Sequence, residues 1–135
     1  MRGENDHRRP IAGRPPRLLL QGLLLALLLL GTFRLSAQMW SGGAADDYWS
    51  SATNWNPVGV PNNNGTARIV FAGTTRLTPS ALVTWDVLGL FFTNNAGAFI
   101  LGGNQLTLRA AGITNNSVNL QRINNSLVMA TEPPN

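Results

Sequence analysis

The chain has 135 residues with 10 basic and 6 acidic side chains, one histidine and no cysteine, and these counts remove whole classes of protein. Without cysteine there is no disulfide framework, and the lone histidine, His7, sits in an N-terminal leader, so the remainder holds no Ser-His-Asp or Cys-His constellation and no histidine zinc site. The net charge of +4 belongs to that leader, where six arginines (Arg2, Arg8, Arg9, Arg14, Arg17 and Arg34) face only Glu4 and Asp6, whereas Arg68, Arg76, Arg109 and Arg122 balance Asp46, Asp47, Asp86 and Glu132.

The arginine-rich start runs into LLLQGLLLALLLL at 18–30 and then into Leu35-Ser36-Ala37. Arginines stay on the cytoplasmic side while leucines enter the bilayer as a short helix, and a small residue marks the cleavage point; together these are the three parts of a secretory signal. Residues 1–37 are therefore read as a signal peptide cleaved after Ala37. Leu35 departs from the small-x-small pattern, and the apolar stretch 18–33 approaches the lower bound of ~17 residues for a membrane span. An uncleaved anchor over 18–33 is the alternative, and the rest of the chain is expected to be extracellular or at the cell surface.

From 38 to 66 the sequence is rich in Gly, Asn, Ser, Asp and Pro, with Trp40, Tyr48, Trp49 and Trp55 spaced through it. Turn formers dominate and helical periodicity is absent, which predicts a looped N-terminal cap with short strands. Residues 67–130 change texture to short runs of Val, Ile, Leu, Phe and Thr broken by Gly and Asn. This is the pattern of strands and turns, with strands expected at 67–72, 82–86, 88–93, 98–101, 105–109, 117–123 and 126–130. A short tail, 131–135, follows.

Strand centres near Ile69, Leu90, Thr107 and Leu127 recur at intervals of about 20 residues, the scale of solenoid rungs. Asparagine clusters at 62–64, Asn94-Asn95, Asn115-Asn116 and Asn124-Asn125 fall between them, suited to tight corners and to side-chain ladders between stacked turns. The fold class is all-β, read as a solenoid segment, with a β-sandwich as the alternative.

The leader followed by W-S-G-G-A-A-D-D-Y-W-S-S-A-T-N-W, N-P-x-G-V-P and A-R-I-V-F-A-G resembles the start of secreted bacterial proteins with autotransporter-associated β-strand repeats. L-G-L-F-F-T-N-N, F-I-L-G-G-N-Q-L-T-L and G-I-T-N-N-S resemble that family's rungs. The resemblance implies a right-handed parallel β-helix passenger with an adhesive or structural role at the cell surface. Members are usually much longer, and this sequence carries no outer-membrane β-barrel, so the chain is read as such a passenger or a fragment of one.

Little in the exported part carries chemistry. Asp46 and Asp47 are neighbours in a Gly-rich loop, where carboxylates are usually solvated turn residues; a glycosidase needs a placed pair, and no calcium-loop motif surrounds them. Neither enzyme activity nor a cofactor or metal is expected. Tyr48, Trp49 and Trp55 admit two readings: a platform of rings for a glycan, or a cover over the open end of the first rung. The expected partners are surface glycans or other cell-surface proteins. Nucleic acid is not among them, because the exported part lacks lysine and scatters its arginines.

Overall fold

The structure is a computed structural model that describes residues 37–130, all within one unit of the chain, Arg34–Asn135. Apart from Ala37, the expected signal peptide, the alternative anchor at 18–33 and the tail 131–135 lie outside the described residues. Among the described residues no helix is long and apolar enough to cross a membrane.

The described residues are all-β, interrupted by one 3-10 turn at Ala52–Asn54. In chain order the strands are β1 (Ala37–Trp40), β2 (Trp55–Asn56), β3 (Arg68–Phe71), β4 (Ser80–Ala81), β5 (Trp85–Phe92), β6 (Ile100–Gly103), β7 (Leu106–Asn115), β8 (Arg122–Ile123) and β9 (Leu127–Met129). They form a six-stranded sheet in the order β2-β1-β3-β5-β7-β9 and a three-stranded sheet in the order β4-β6-β8. Every pairing is parallel except β1 with β2. From β3 onward the chain alternates between the two sheets.

Register follows the sequence spacing. Ile69 pairs with Leu90 and Phe71 with Phe92, each 21 positions apart, and Leu106 pairs with Leu127 at the same offset. Side chains alternate across each strand, so these in-register positions share one face. On that inner face lie Ile69, Phe71, Val87, Leu90, Phe92, Leu106 and Leu108 of the larger sheet, which join Ala81 and Leu101 of the smaller one in a single core cluster. Phe71 and Phe92 stack with ring centroids 5.1 Å apart, close to the roughly 4.8 Å that separates hydrogen-bonded strands.

Several strands differ from their expected bounds. The runs 82–86 and 88–93 meet in one strand, β5, which begins only at Trp85, leaves 82–84 outside, and switches its inward phase from Trp85 and Val87 to Leu90 and Phe92. A register irregularity between Val87 and Gly89 produces the switch: β7 advances from Leu108 to Gly112 while β5 advances by two residues. Gly89 is required there, because an added Cβ would lie 2.6 Å from the Gly112 carbonyl oxygen. The run 105–109 extends through the same irregularity to Asn115, and 117–123 contracts to Arg122–Ile123. The short strands expected within the cap are β1 and β2, whose bounds the sequence does not give, and β4 falls outside every expected run, since two to four residues make too short a pattern to detect.

The asparagine clusters do lie at corners. Asn64 and Asn115 accept backbone N–H bonds from Thr66 (3.3 Å) and Ser117 (3.0 Å), each closing its own turn. Other side chains reach the neighbouring turn of chain: Asn63 donates to the Thr84 carbonyl at 2.9 Å, Asn119 to Ala96 at 2.8 Å and Asn125 to Asn104 at 2.6 Å. The ladders thus run from side chain to backbone, tying successive turns together.

Candidate functional site

The densest polar cluster is built from the loop that carries Asp46 and Asp47. Its centre is Asn54, fully buried at the end of the 3-10 turn. The Asn54 carboxamide oxygen accepts the Ala44 N–H at 2.8 Å, and its nitrogen donates to the carbonyls of Asp46 and Tyr48, both at 3.0 Å. The same nitrogen reaches Asp46 Oδ1 at 3.2 Å. A buried amide that meets this many partners holds a loop in one conformation.

Asp46 is spent within this loop: its Oδ1 accepts the Tyr48 N–H (3.0 Å) and its Oδ2 the Ser51 hydroxyl (2.9 Å). Those two bonds, led by the backbone N–H, hold its carboxyl below the ordinary value of 3.8, with smaller help from Asn54 and Arg76. Asp47 reaches outward instead, accepting the Thr78 hydroxyl at 2.6 Å and the Arg76 guanidinium at 2.9 Å. The Thr78 bond, followed by Arg76, likewise lowers its pKa below 3.8. Arg76 adopts a left-handed backbone at φ 48, and its carbonyl accepts the Trp40 indole N–H at 3.0 Å. Three segments therefore meet at one residue. Among the described residues no group of three or more His, Cys, Asp or Glu side chains is placed to hold a metal ion.

The aromatic residues lie beneath this loop. Trp55 makes edge-to-face contacts with Trp40 at 5.2 Å and with Trp49 at 5.7 Å, and Trp49 continues the chain of rings to Trp85 at 5.4 Å. The Trp55 indole N–H donates to the Trp49 carbonyl at 2.8 Å. Of the two readings of Tyr48, Trp49 and Trp55, a glycan platform or a cover, burial favours the cover for the two tryptophans: Trp49 and Trp55 are each 1% exposed and belong to the core cluster. Edge-to-face packing against neighbouring rings removes both indoles from solvent. Tyr48 alone is exposed, at 42%. Its segment joins the smaller sheet: Trp49 N–H donates to Ser80 O at 3.0 Å and Ser80 N–H to Asp47 O at 2.8 Å.

Two charged contacts lie on the outer face of the larger sheet. Asp86 accepts a bidentate pair from Arg109, at 2.9 Å from Nε and 2.6 Å from an Nη, between the adjacent strands β5 and β7. Arg68 rests over the Phe91 ring at 3.7 Å. On the smaller sheet a shallow groove of about 200 Å³ is lined by Ala98, Ile100, Leu120 and Arg122. Ile100 and Arg122 are register partners of β6 and β8, and Arg122 forms no ion pair with a described residue.

Comparisons with protein-family models, curated proteins and solved structures found no match. The geometry therefore stands as the guide to function. Sequence reasoning singled out Asp46 and Asp47 but missed their common organiser, Asn54, and the groove at Arg122. Asn54 resembles any other residue of an Asn-rich loop, and only the folding of residues 41–51 back around it brings its partners together. The groove draws its lining from residues about 22 apart, which only register brings together.

Proposed function

We propose that the chain is an exported, non-enzymatic, right-handed parallel β-helical segment of passenger type, with a structural or adhesive role at the cell surface. One observation carries this reading: strands β3, β5, β7 and β9 pair in parallel at offsets of 21 to 23 residues while the chain alternates with a second parallel sheet. A chain that returns to the same sheet at a fixed interval, always in the same direction, stacks as rungs. The resemblance to autotransporter-associated β-strand repeats and the secretory leader agree with it.

The mechanism is geometric. Apolar residues stacked between the sheets make the segment stiff, and its outward faces offer fixed contact points. The groove at Ala98, Ile100, Leu120 and Arg122 is one such face, setting apolar side chains beside a guanidinium that forms no ion pair with a described residue. It suits a surface protein or glycan that presents an acidic group beside an apolar face. The described carboxylates are committed elsewhere: Asp46 to its loop, Asp47 to Arg76 and Thr78, Asp86 to Arg109.

The test is cell fractionation of the native host with intact-mass analysis, followed by binding of the recovered protein to protein-coated and glycan-coated surfaces. The expected result is a surface or released form beginning at Gln38 that adheres without altering its ligand, and whose adhesion falls at least tenfold in Arg122→Glu. Cytoplasmic retention with the leader intact, or turnover of a polysaccharide, would overturn the reading.

A further inference from the structure

The sequence holds a single Asn-Gly pair, Asn64-Gly65, at the corner between the N-terminal loop and β3. This corner is clasped to residues 84–86 of the neighbouring turn of chain. Asn63 uses both ends of its carboxamide: the nitrogen donates to Thr84 O at 2.9 Å and the oxygen accepts the Asp86 N–H at 2.6 Å. Gly65 N–H donates to Asp86 O at 2.8 Å. The Asn64 side chain turns along its own segment, where Oδ1 accepts the Thr66 hydroxyl at 2.6 Å and the Thr66 N–H at 3.3 Å. Asn64 is exposed, whereas Gly65 is buried and holds a left-handed backbone at φ 81. Glycine enters that region without steric penalty, so the corner itself requires the residue that follows Asn64.

An asparagine followed by glycine is chemically labile. The backbone nitrogen of the glycine gives its proton to water or hydroxide and attacks the asparagine Cγ. The bond from Cγ to the side-chain nitrogen breaks, ammonia leaves and a five-membered succinimide closes. Water then opens either carbonyl of that ring, giving aspartate or isoaspartate. One water enters and one ammonia departs, with no oxidant or reductant. Glycine favours the attack because it has no Cβ to crowd it. The folded corner withholds both reacting atoms. The Gly65 nitrogen is committed to Asp86 O, and the two Thr66 bonds fix the plane of the Asn64 carboxamide. Ring closure therefore needs 63–65 to part from 84–86 and Asn64 to leave Thr66.

We propose that Asn64 is a modification site gated by the fold: it stays an amide while the corner is clasped and deamidates through the succinimide when the corner opens. Loops and corners open locally with free energies well below that of global unfolding, which makes this a route separate from denaturation. The two products differ in consequence. Aspartate still offers an oxygen to Thr66 and can close the same turn. Isoaspartate carries the main chain through the side-chain methylene, lengthens the corner by one carbon and displaces Gly65 from Asp86. The opening is thus recorded irreversibly at the join between the N-terminal loop and the strand repeats. The inference rests on this corner alone and is independent of the adhesive reading.

Peptide mapping of the full chain recovered from its host, held in mildly alkaline buffer either native or unfolded in urea, tests the idea. Mass separates amide from acid, and chromatographic retention separates aspartate from isoaspartate. Conversion at Asn64 should be at least about tenfold slower in the native protein. Asn63→Ala removes two of the three clasp bonds and leaves Asn64 and Gly65 in place. It should speed native conversion by about tenfold and leave the rate in urea unchanged. A readout on the parent chain does not depend on that variant folding: in urea below the unfolding midpoint, conversion should track hydrogen exchange at the Gly65 amide. Equal native and unfolded rates would overturn the proposal, as would a parental native rate in an Asn63→Ala protein that keeps its melt. Conversion that follows only global unfolding would also overturn it, because the whole fold and not the corner would then be the gate.

Discussion

Asn54 shows how much of the N-terminal loop depends on one side chain. Replacing it with alanine leaves the Ala44 N–H and the Asp46 and Tyr48 carbonyls without the partner that the buried Asn54 amide gives them. Buried groups left unpaired cost about 1–3 kcal/mol each, and partial relaxation of the loop offsets some of that. Asn54→Ala should lower stability by about 3 kcal/mol in chemical denaturation, and a loss below ~0.5 kcal/mol, the level of a neutral surface change, would show that the loop is held by other contacts. Asp46 and Asp47 add a dependence on pH. Their folded pKa values are depressed below 3.8, so their contribution is complete above 3.8 and is lost as pH falls through the folded values. The melting temperature should therefore hold steady from about pH 7 to pH 5 and fall below about pH 4. In Asp47→Asn the acid-side fall should be smaller, since the titrating group is gone. At this scale the acidic pair is legible as two letters, whereas the choice between a ring platform and a ring cover is not, because the burial of Trp49 and Trp55 depends on Trp40, Trp85 and Phe71 arriving from elsewhere in the chain.

Among the elements, β5 is the clearest case of local pattern and tertiary pairing combining. Its letters, WDVLGLFF, alternate correctly in each half and contradict each other across Leu88-Gly89. Read alone, that break divides two strands; in the sheet it is the place where β7 inserts extra residues and both strands continue. Gly89→Ala should cost about 1–3 kcal/mol, as overpacking does, because the new methyl meets the backbone of Gly112 and Ala111 rather than a flexible side chain. Gly102 is the control: an added Cβ there meets nothing within 4 Å. Gly102→Ala should leave the denaturation midpoint within error of the parent, and equal losses at both positions would remove the steric argument. The asparagine corners were legible for a simpler reason. Asn closes turns through its own side chain, and that preference acts over two or three residues.

For the whole molecule the question is what the N-terminal tryptophans do. With Trp49 and Trp55 packed edge to face and 1% exposed, each truncation removes a buried indole and leaves a cavity. Such changes cost about 3–5 kcal/mol apiece, against a total stability of roughly 5–15 kcal/mol for a domain of ordinary size. The double variant Trp49→Ala, Trp55→Ala should fail to melt cooperatively at room temperature. A variant that kept a native melt and lost only glycan binding would restore the platform reading.

The sequence by itself determined the all-β class, the repeat near 20 residues, the corners and the neutral charge balance beyond the leader, because each is written in local composition or in spacing along the chain. Tertiary structure decided which strands pair, that all but one of the pairings are parallel, and which aromatic rings are hidden. Those properties belong to contacts between residues 20 or more positions apart, and the register that brings such residues together is set by the packing of all the turns at once.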